Sequence, residues 1–238
     1  MKAMIFAAGL GTRLRPYTND RPKALVEVGG QTLLAHNLLR MRKAGVSTVV
    51  INVHHFADMV EDHLASHDNF GLDVHISNER DLLLDTGGGL WAARRWLTDA
   101  PFLIHNVDIL SDLDLRALYT AHQSRSALST LAVRKRTTSR YLQFSRAGLL
   151  TAWYHSRTGE RRISRPVRHY QNWAYSGIAV IDPALFAHFP QDKQTFSIID
   201  VWLAAARKGA VRAYPHTENQ WLDVGKPEAL ARAEDLVK

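Results

Sequence analysis

Strand-like and helix-like segments alternate over the first half of this chain. Short apolar runs such as KAMIFAA (2–8) and TVVINVHH (48–55) have the length of buried strands. The segments between them, for example TLLAHNLLRMRKAG (32–45), carry apolar residues at helical spacing and end at a glycine. Strands joined by single helices form right-handed crossover units and build a mostly parallel sheet with helices on both faces. The first half therefore predicts a doubly wound, Rossmann-like α/β fold.

The pattern changes after residue 126. Strand-like segments follow one another there without a helix between them: STLAVRK, YLQFSR, LLTAWYH and WAYSGIAVI. This arrangement predicts an antiparallel or mixed extension of the same sheet. Because no linker, repeat or low-complexity tract separates the two parts, we predict a single domain over residues 1–238, with one functional half at about 1–125 and another at about 126–238.

The charge balance favours an anionic partner. The 238-residue chain has a net charge of +7, and much of it lies in RKRTTSR (134–140) and RTGERRISRPVR (157–168). Both segments are rich in turn formers, and we predict that they are solvated loops. The nearby aromatic residues alternate with apolar ones as in core strands, so they do not form a base-stacking platform. We therefore expect nucleotides or sugar phosphates as ligands and no nucleic acid.

Features that the sequence lacks exclude several kinds of site and partner. There is no cysteine, which excludes disulfides and thiolate metal sites and suits a reducing cytoplasm. No apolar run approaches the ~20 residues of a membrane span, so we expect no membrane partner. His63, His67 and His75 show no shared spacing, and adjacent His54 and His55 point to opposite faces of a strand, so we expect no zinc site.

A glycine-rich segment with cationic residues, GLGTRLRPYTNDRPK (9–23), follows the first strand. Glycine allows backbone N–H groups of residues 8–12 to approach phosphate oxygens closely. Two common phosphate motifs are excluded: the dinucleotide fingerprint requires glycine where Leu14 stands, and no Gly-Lys-Ser/Thr triplet occurs. The segment therefore predicts a polyphosphate site of a different kind.

This segment resembles the signature of the sugar-1-phosphate nucleotidylyltransferases, G-x-G-T-R-(L/M)-x-P-x-T-x-x-x-P-K. Three further blocks are similar to segments of that family and follow in the same order: DTGGG (85–89), HNVDIL (105–110) and WLDVGKPE (221–228). The resemblance implies transfer of a nucleotidyl group from an NTP to a sugar 1-phosphate, giving an NDP-sugar and pyrophosphate with Mg²⁺ as cofactor. It also implies that the half at 1–125 binds the nucleotide and the half at 126–238 binds the sugar phosphate.

The resemblance also implies roles for individual residues. The catalytic residues would be Arg13, Lys23 and Asp108, and the metal ligands would be Asp108 and Asp223. The nucleotide would contact Ala7, Ala8, Gly9, Gly11, Thr12, Arg13, Gly88 and Asn106, with Asn52 and Glu79 as additional contacts near the base. The sugar phosphate would contact Lys23, Gly148, Asn172, Ser176 and Gly177. Two positions depart from the family pattern: Val107 stands where many relatives have glycine, and SRP (164–166) replaces a glutamate-lysine-proline trio.

Several alternatives remain open for the substrate and the class. The compact chain looks most like N-acetylmuramate-1-phosphate uridylyltransferases, which implies UTP and that sugar. INVHHFAD (51–58) and DTGGG also resemble mannose-1-phosphate and heptose-1-phosphate guanylyltransferases, which implies GTP. A non-catalytic regulatory domain that binds a nucleotide sugar is a further alternative, although Arg13, Lys23, Asp108 and Asp223 are all present. We expect a cytoplasmic monomer or homodimer.

Overall fold

The computed structural model describes residues 1–237. Its strands are β1 (Lys2–Phe6), β2 (Glu27–Val28), β3 (Gln31–Thr32), β4 (Thr48–Val53), β5 (Asp73–Asn78), β6 (Phe102–Asn106), β7 (Ile109–Ser111), β8 (Ser129–Arg134), β9 (Arg140–Ser145), β10 (Leu150–His155), β11 (Arg161–Ile163), β12 (Tyr170–Ile181), β13 (Val211–Pro215) and β14 (Trp221–Asp223). Its α-helices are α1 (Leu33–Lys43), α2 (Ala57–Ser66), α3 (Asp85–Ala93), α4 (Leu115–Gln123), α5 (Ile198–Ala206) and α6 (Glu228–Val237). Short 3₁₀ helices cover Thr12–Leu14, Lys23–Leu25, Asp68–Gly71, Arg94–Trp96 and Pro183–His188.

The chain forms two compact units, each built from separate stretches of sequence. Unit 1 comprises Met1–Leu83, Ile104–Leu115 and Asn219–Lys238, and unit 2 comprises Leu84–Leu103 and Arg116–Glu218. The strands and helices of each unit are described separately below.

The sheet of unit 1 is parallel where its register is defined. Its strand order is β6-β1-β4-β5, and β4 runs parallel to both β1 and β5. The first helix, α1, begins where the sequence predicts, because the Thr32 hydroxyl accepts a hydrogen bond from the backbone N–H of Ala35 at 3.1 Å and so caps the helix. Buried Leu34, Leu38 and Met41 lie at helical spacing on α1 and anchor it to the core.

A second core cluster in unit 1 joins segments that are far apart in sequence. It brings the glycine-rich segment, the β2–β3 hairpin, the β7–β14 ribbon and α6 against one another. Its buried residues are Leu14, Val26, Val28, Leu33, Leu110, Leu222, Val224 and Ala233. Burial of these apolar side chains therefore fixes the position of the glycine-rich segment relative to the ends of β7 and β14.

The sheet of unit 2 is mixed. Its strand order is β11-β10-β9-β12-β8-β13, antiparallel throughout except for the parallel pair β8–β13. The long strand β12 pairs with β9 through residues 170–173 and with β8 beyond that, and the register shifts between Tyr175 and Ala179. Gly177 lies at this irregularity with a φ of 77°. The predicted fold class, a parallel α/β part with an antiparallel extension, is confirmed.

Three predicted elements differ from the structure. Residues 85–89 were expected to form a turn before a helix at 90–97, but α3 already begins at Asp85 and ends at Ala93. The segment led by Pro183 is a 3₁₀ helix, capped by Asp182 as expected. The Arg-rich segment 157–168 contains the edge strand β11, although it was predicted to be a loop throughout. Within residues 1–237, no helix is both long and apolar enough to cross a bilayer.

Candidate active site

The glycine-rich segment of unit 1 folds into a tight loop that requires glycine at position 11. Gly11 has a φ of 66°, and a Cβ there would lie 3.0 Å from Cγ2 of Thr18. The Gly11 carbonyl accepts hydrogen bonds from the Thr18 hydroxyl and the Leu14 N–H, both at 2.9 Å. Nothing lies within 4 Å of a Cβ built on Gly9, and Thr12 and Arg13 are exposed. The loop is thus held from one side and leaves Gly9, Thr12 and Arg13 accessible to a ligand.

The ends of β1, β4 and β5 are linked by a buried chain of polar contacts. The Asn52 side chain accepts a hydrogen bond from the Ala7 N–H at 2.8 Å and donates one to Oε1 of Glu79 at 2.7 Å. Asn52 and Glu79 are each only 3% exposed. The structure therefore gives both residues a bridging position between strands, and the Ala7 N–H is already paired.

Lys23 and Asp108 form an ion pair across 85 residues of sequence. The Nζ of Lys23 contacts Oδ2 of Asp108, and the two side chains are 11% and 15% exposed. Lys23 begins a 3₁₀ helix after the extended Pro22, whereas Asp108 follows the end of β6. The carboxyl ends of strands are the usual ligand-binding edge of an open α/β sheet. The pair therefore places one cation and one anion at the predicted site.

Asp223 lies beside Asp108 because β14 pairs with β7. Asp223 is opposite Ile109 in this ribbon, and the N–H of Val224 donates to the Asp108 carbonyl at 2.8 Å. A Cβ on Gly225 would lie 2.6 Å from Oδ1 of Asp223 and 3.1 Å from Nη2 of Arg13. Glycine at 225 therefore leaves the space in which Asp223 and the Arg13 guanidinium lie close together.

These carboxylates fit a magnesium ion by the chemistry of their donor atoms. Mg²⁺ prefers oxygen ligands and is usually held by one or two carboxylates together with substrate phosphates and water. Asp108 and Asp223 supply two such groups, and the space left by Gly225 opens next to one of them. Across residues 1–237, no three or more His, Cys, Asp or Glu side chains are grouped to hold a metal ion. Asp108 and Asp223 could therefore supply two oxygen ligands of a magnesium ion whose other ligands are phosphates and water.

The sequence analysis did not identify Asn37, which holds the backbone of the residue before Asp108. Asn37 is 2% exposed and donates hydrogen bonds to the carbonyls of Leu33 and Val107, both at 2.9 Å. The Val107 N–H donates to the Phe6 carbonyl at 3.2 Å, so the valine that replaces the family's glycine is held on both sides. A polar residue within the apolar stripe of α1 was the available signal for Asn37.

A pair of basic residues, Arg40 and the buried His105, lies next to Asn37 and Val107. His105 in β6 is 1% exposed, and its Nε2 lies 3.4 Å from Nη1 of Arg40, which also donates to the Leu113 carbonyl. Burial, assisted by the Arg40 charge, lowers the pKa of His105 to about 3, although Asp108 acts in the opposite direction. Burial likewise lowers the pKa of Arg40 to about 10, with Asp112 and Asp114 opposing the shift. His105 is therefore neutral, and its Nδ1 contacts the carbonyl of Asn106, a predicted nucleotide contact, at 2.8 Å.

The predicted site residues of unit 2 have clear structural positions. Gly88 is buried in α3, and its N–H lies 3.2 Å from the Phe196 carbonyl that accepts it. Gly148 turns the chain between β9 and β10 with a φ of 71°. Ser176 is fully buried, and its hydroxyl lies 2.7 Å from Nε2 of His216. Asn172 is exposed on β12 and accepts a hydrogen bond from Gln143 at 2.9 Å. Contacts of these residues with a nucleotide or a sugar remain predictions.

Comparison with known families identifies the class of protein. The family model described as "Nucleotidyl transferase" matches residues 2–238, so the chain belongs to the nucleotidyl transferase family. A solved structure, the inositol-1-phosphate CTP transferase from T. maritima, superposes with a TM-score of 0.78 at 19% identity, covering 99% of this chain and 94% of that one. At this identity, the likeness shows the fold.

Two curated relatives are similar over nearly the whole of this chain. The N-acetylmuramate alpha-1-phosphate uridylyltransferase of Caulobacter vibrioides is 36% identical over 98% of this chain and 95% of its own length. The mannose-1-phosphate guanyltransferase beta-A of Xenopus laevis is 29% identical over 96% of this chain, which spans 62% of that relative. Both relatives are named as enzymes that act on sugar 1-phosphates.

Proposed function

We propose that this protein transfers a nucleotidyl group from an NTP to a sugar 1-phosphate, releasing pyrophosphate, and that its substrates are UTP and an N-acetylmuramate 1-phosphate-like sugar. The observation that carries the proposal is the grouping of Arg13, Lys23, Asp108 and Asp223 beside the glycine loop of unit 1. The 36% identity with the uridylyltransferase over almost the full chain supports the choice of base and sugar.

The reaction needs charge neutralisation more than proton transfer. A phosphate oxygen of the sugar 1-phosphate attacks the α-phosphorus of the NTP and forms a new P–O bond. The bond between the α-phosphorus and the oxygen that bridges it to the β-phosphate breaks. That oxygen leaves as part of pyrophosphate with the bonding electron pair. Because the attacking phosphate is already an anion near neutral pH, no general base is required, and catalysis depends on position and electrostatics.

Arg13, Lys23 and backbone N–H groups of the glycine loop can neutralise the charge of the phosphates. The accessible loop at Gly9–Thr12 offers backbone N–H groups to the phosphates. Arg13, exposed beside the loop, can form a bidentate contact with the departing pyrophosphate, where negative charge accumulates. Lys23 supplies a point charge to the α-phosphate or to the sugar phosphate, and its ion pair with Asp108 fixes its location before substrate binds.

Asp108 and Asp223 would hold the proposed magnesium ion. When bound, the ion supplies a positive charge to triphosphate oxygens and so helps to stabilise the transition state. The β7–β14 pairing holds the backbones of both ligands, which limits the reorganisation that metal binding requires.

The proposal extends to the setting of the reaction. It includes a role in supplying an activated sugar for cell-envelope synthesis, a cytoplasmic location where NTPs are available, and a monomeric or homodimeric state. The functional halves at about 1–125 and 126–238, for the nucleotide and the sugar phosphate, are also part of the proposal.

A matrix of nucleotides and sugars tests the proposal. UTP, GTP, CTP, ATP and dTTP are each combined with N-acetylmuramate, N-acetylglucosamine, mannose, glucose and heptose 1-phosphates, and pyrophosphate release is followed. We expect release only when both substrates are present, with the highest kcat/KM for UTP and N-acetylmuramate 1-phosphate. A maximum for GTP with mannose or heptose 1-phosphate would establish the alternative substrates that the 29% identical guanyltransferase suggests. No release in any combination would favour a non-catalytic binding domain.

A further inference from the structure

A polar cluster lies on one face of the antiparallel strands of unit 2. Gln143 in β9 is opposite Asn172 in β12, and its amide contacts both Asn172 and Arg161 of the edge strand β11. Gln143 is only 2% exposed, whereas Arg161 and Asn172 are both exposed. A buried amide therefore connects two accessible polar side chains.

The hydrogen-bond directions in this cluster follow from the chemistry of arginine. The Nε of Arg161 donates to Oε1 of Gln143 at 2.7 Å, and arginine has no acceptor. The amide nitrogen of Gln143 must therefore face Asn172, where it donates to Oδ1 at 2.9 Å. As a result, the Asn172 amide nitrogen is directed away from Gln143 and can donate to a ligand.

Two contacts within unit 2 hold Arg161 in place. Its guanidinium carbon lies 4.5 Å from the centroid of the Tyr170 ring, so stacking and the Nε bond together fix the group. Among residues 1–237, no side chain or carbonyl accepts a hydrogen bond from either terminal nitrogen of Arg161. The terminal fork of a positioned guanidinium is suited to bind a carboxylate in bidentate fashion.

Arg162, the next residue along β11, differs from Arg161 in its ion pairing. Arg162 lies at the following position of β11, and because successive strand residues point to opposite faces, its side chain is on the other side of the sheet. There it forms an ion pair with Asp200 of α5. Within residues 1–237, Arg162 thus has an anionic partner and Arg161 has none.

We propose that Arg161 determines specificity by binding a carboxylate carried by the sugar 1-phosphate. This inference rests on the proposed function, and N-acetylmuramate differs from N-acetylglucosamine by a lactyl ether that ends in a carboxylate. The contact between Arg161 and Gln143, which in turn holds the predicted sugar ligand Asn172, connects the guanidinium to the sugar-binding residues. The phosphate is the other anion of the substrate, but Arg13 and Lys23 of unit 1 are proposed to neutralise phosphates.

The test compares two sugars that differ in the carboxylate. The kcat and KM of the wild type, Arg161→Gln, Arg161→Lys and the control Arg162→Gln are measured with UTP and either N-acetylmuramate 1-phosphate or N-acetylglucosamine 1-phosphate. The second sugar is assayed as a competitive inhibitor if its turnover is below detection. Urea unfolding of each variant reports on structural damage.

We expect Arg161→Gln to lower kcat/KM for the muramate substrate by roughly 10- to 100-fold, mainly through KM, as for loss of a charged hydrogen-bond pair. The value for the glucosamine substrate should change by less than about threefold, because a neutral sugar makes no such pair. Arg161→Lys should restore only part of the loss, since a lysine cannot form the planar fork. Arg162→Gln should leave the preference between the two sugars unchanged.

An equal loss with both sugars would overturn the inference and assign Arg161 to the phosphate or to folding. Unchanged muramate kinetics in Arg161→Gln would overturn it as well, while the proposed function would stand. If the wild type itself releases no pyrophosphate from UTP and N-acetylmuramate 1-phosphate, the proposed substrates are wrong, and the inference falls with them.

Discussion

Lys23, Asp108 and Asp223 illustrate how far single residues can be interpreted from sequence. The family motif contains Lys23, and the blocks around Asp108 and Asp223 follow in the family's order. The ion pair between Lys23 and Asp108 could not be predicted, because it depends on where two loops 85 residues apart come together. Asn37 was missed for the same reason: its partner is the carbonyl of Val107, 70 residues away.

Replacing Asp108 tests the catalytic assignment most directly. Asp108→Asn keeps the size of the side chain but removes a charge that pairs with Lys23 and is proposed to bind metal. We expect turnover to fall by at least ~10²-fold, the cost of losing a major electrostatic contact in a transition state. Steady-state pyrophosphate release at saturating substrates measures the effect.

Asp62→Asn is a matched control for this substitution, because Asp62 is exposed on α2 and its side chain forms no hydrogen bond or ion pair within residues 1–237. It should retain turnover within about twofold. Turnover of Asp108→Asn close to that of the control would remove Asp108 from the active site.

At the scale of elements, periodicity predicted most of the fold. Long segments with a clear period, such as α1, β4 and β12, were found where expected. The three-residue strand β11 was missed, because it is too short to show a period and lies in an Arg-rich segment. The early start of α3 could not be predicted, because three successive glycines disfavour a helix.

Tertiary packing explains why α3 contains glycines. The N–H groups of Gly87 and Gly88 lie 2.9 and 3.2 Å from the Phe196 carbonyl, and a Cβ on Gly88 would overlap the Gln194 carbonyl. The first turn of α3 is thus helical because the segment at 194–196 approaches it closely, a contact between residues more than 100 positions apart that no local pattern reveals.

A methyl group at Gly88 should therefore be costly. We expect Gly88→Ala to lower the free energy of unfolding by about 1–3 kcal/mol, since an overpacked site must shift backbone or side chains. Urea denaturation monitored by circular dichroism measures the change. Gly9→Ala is the control for stability, because no atom lies within 4 Å of its Cβ, and its effect should stay within about 0.5 kcal/mol. Equal stabilities of the two variants would contradict the packing argument.

Because His105 in β6 is buried, we expect the free energy of unfolding to decrease at acidic pH. Its pKa is about 3 in the folded chain and near 6.5 when unfolded, so below pH 6.5 only the unfolded state takes up the proton. The stability present at neutral pH is therefore lost as the pH falls through this window. From pH 7 to pH 5 the loss from this residue should be about 2 kcal/mol.

The comparison with His105→Gln isolates this contribution from those of other groups. The variant should lose less free energy of unfolding than the wild type over the same pH range, as measured by urea titration at each pH. Parallel pH profiles for the two proteins would show that His105 is protonated in the folded state.

For the whole molecule, the sequence established the fold class and the family. The order of motifs and the change of pattern near residue 126 predicted a parallel part and an antiparallel part, and both are present. The way in which the chain leaves unit 1 and returns to it twice was beyond prediction, because it depends on the contacts of residues 104–115 and 219–238 rather than on their local composition.

Binding of a nucleotide should raise the thermal stability of the protein, and the preferred nucleotide should raise it most. UTP with Mg²⁺ at about 100 times its dissociation constant should add about 2.7 kcal/mol, which raises Tm by roughly 5–10 °C for a chain of this length. Differential scanning calorimetry with UTP, GTP and Mg²⁺ alone measures the shifts. A larger shift with GTP than with UTP at equal concentrations would contradict the proposed base.

The ion pair of Lys23 with Asp108 also bears on the order in which ligands arrive. The ammonium group of Lys23 already compensates this carboxylate, so a hydrated divalent ion would have to displace a tethered cation and also give up water. If Asp108 binds magnesium as proposed, a triphosphate would draw Lys23 away from the aspartate and bring the metal ion with it. Under that proposal, we expect metal and nucleotide to bind together, as one complex.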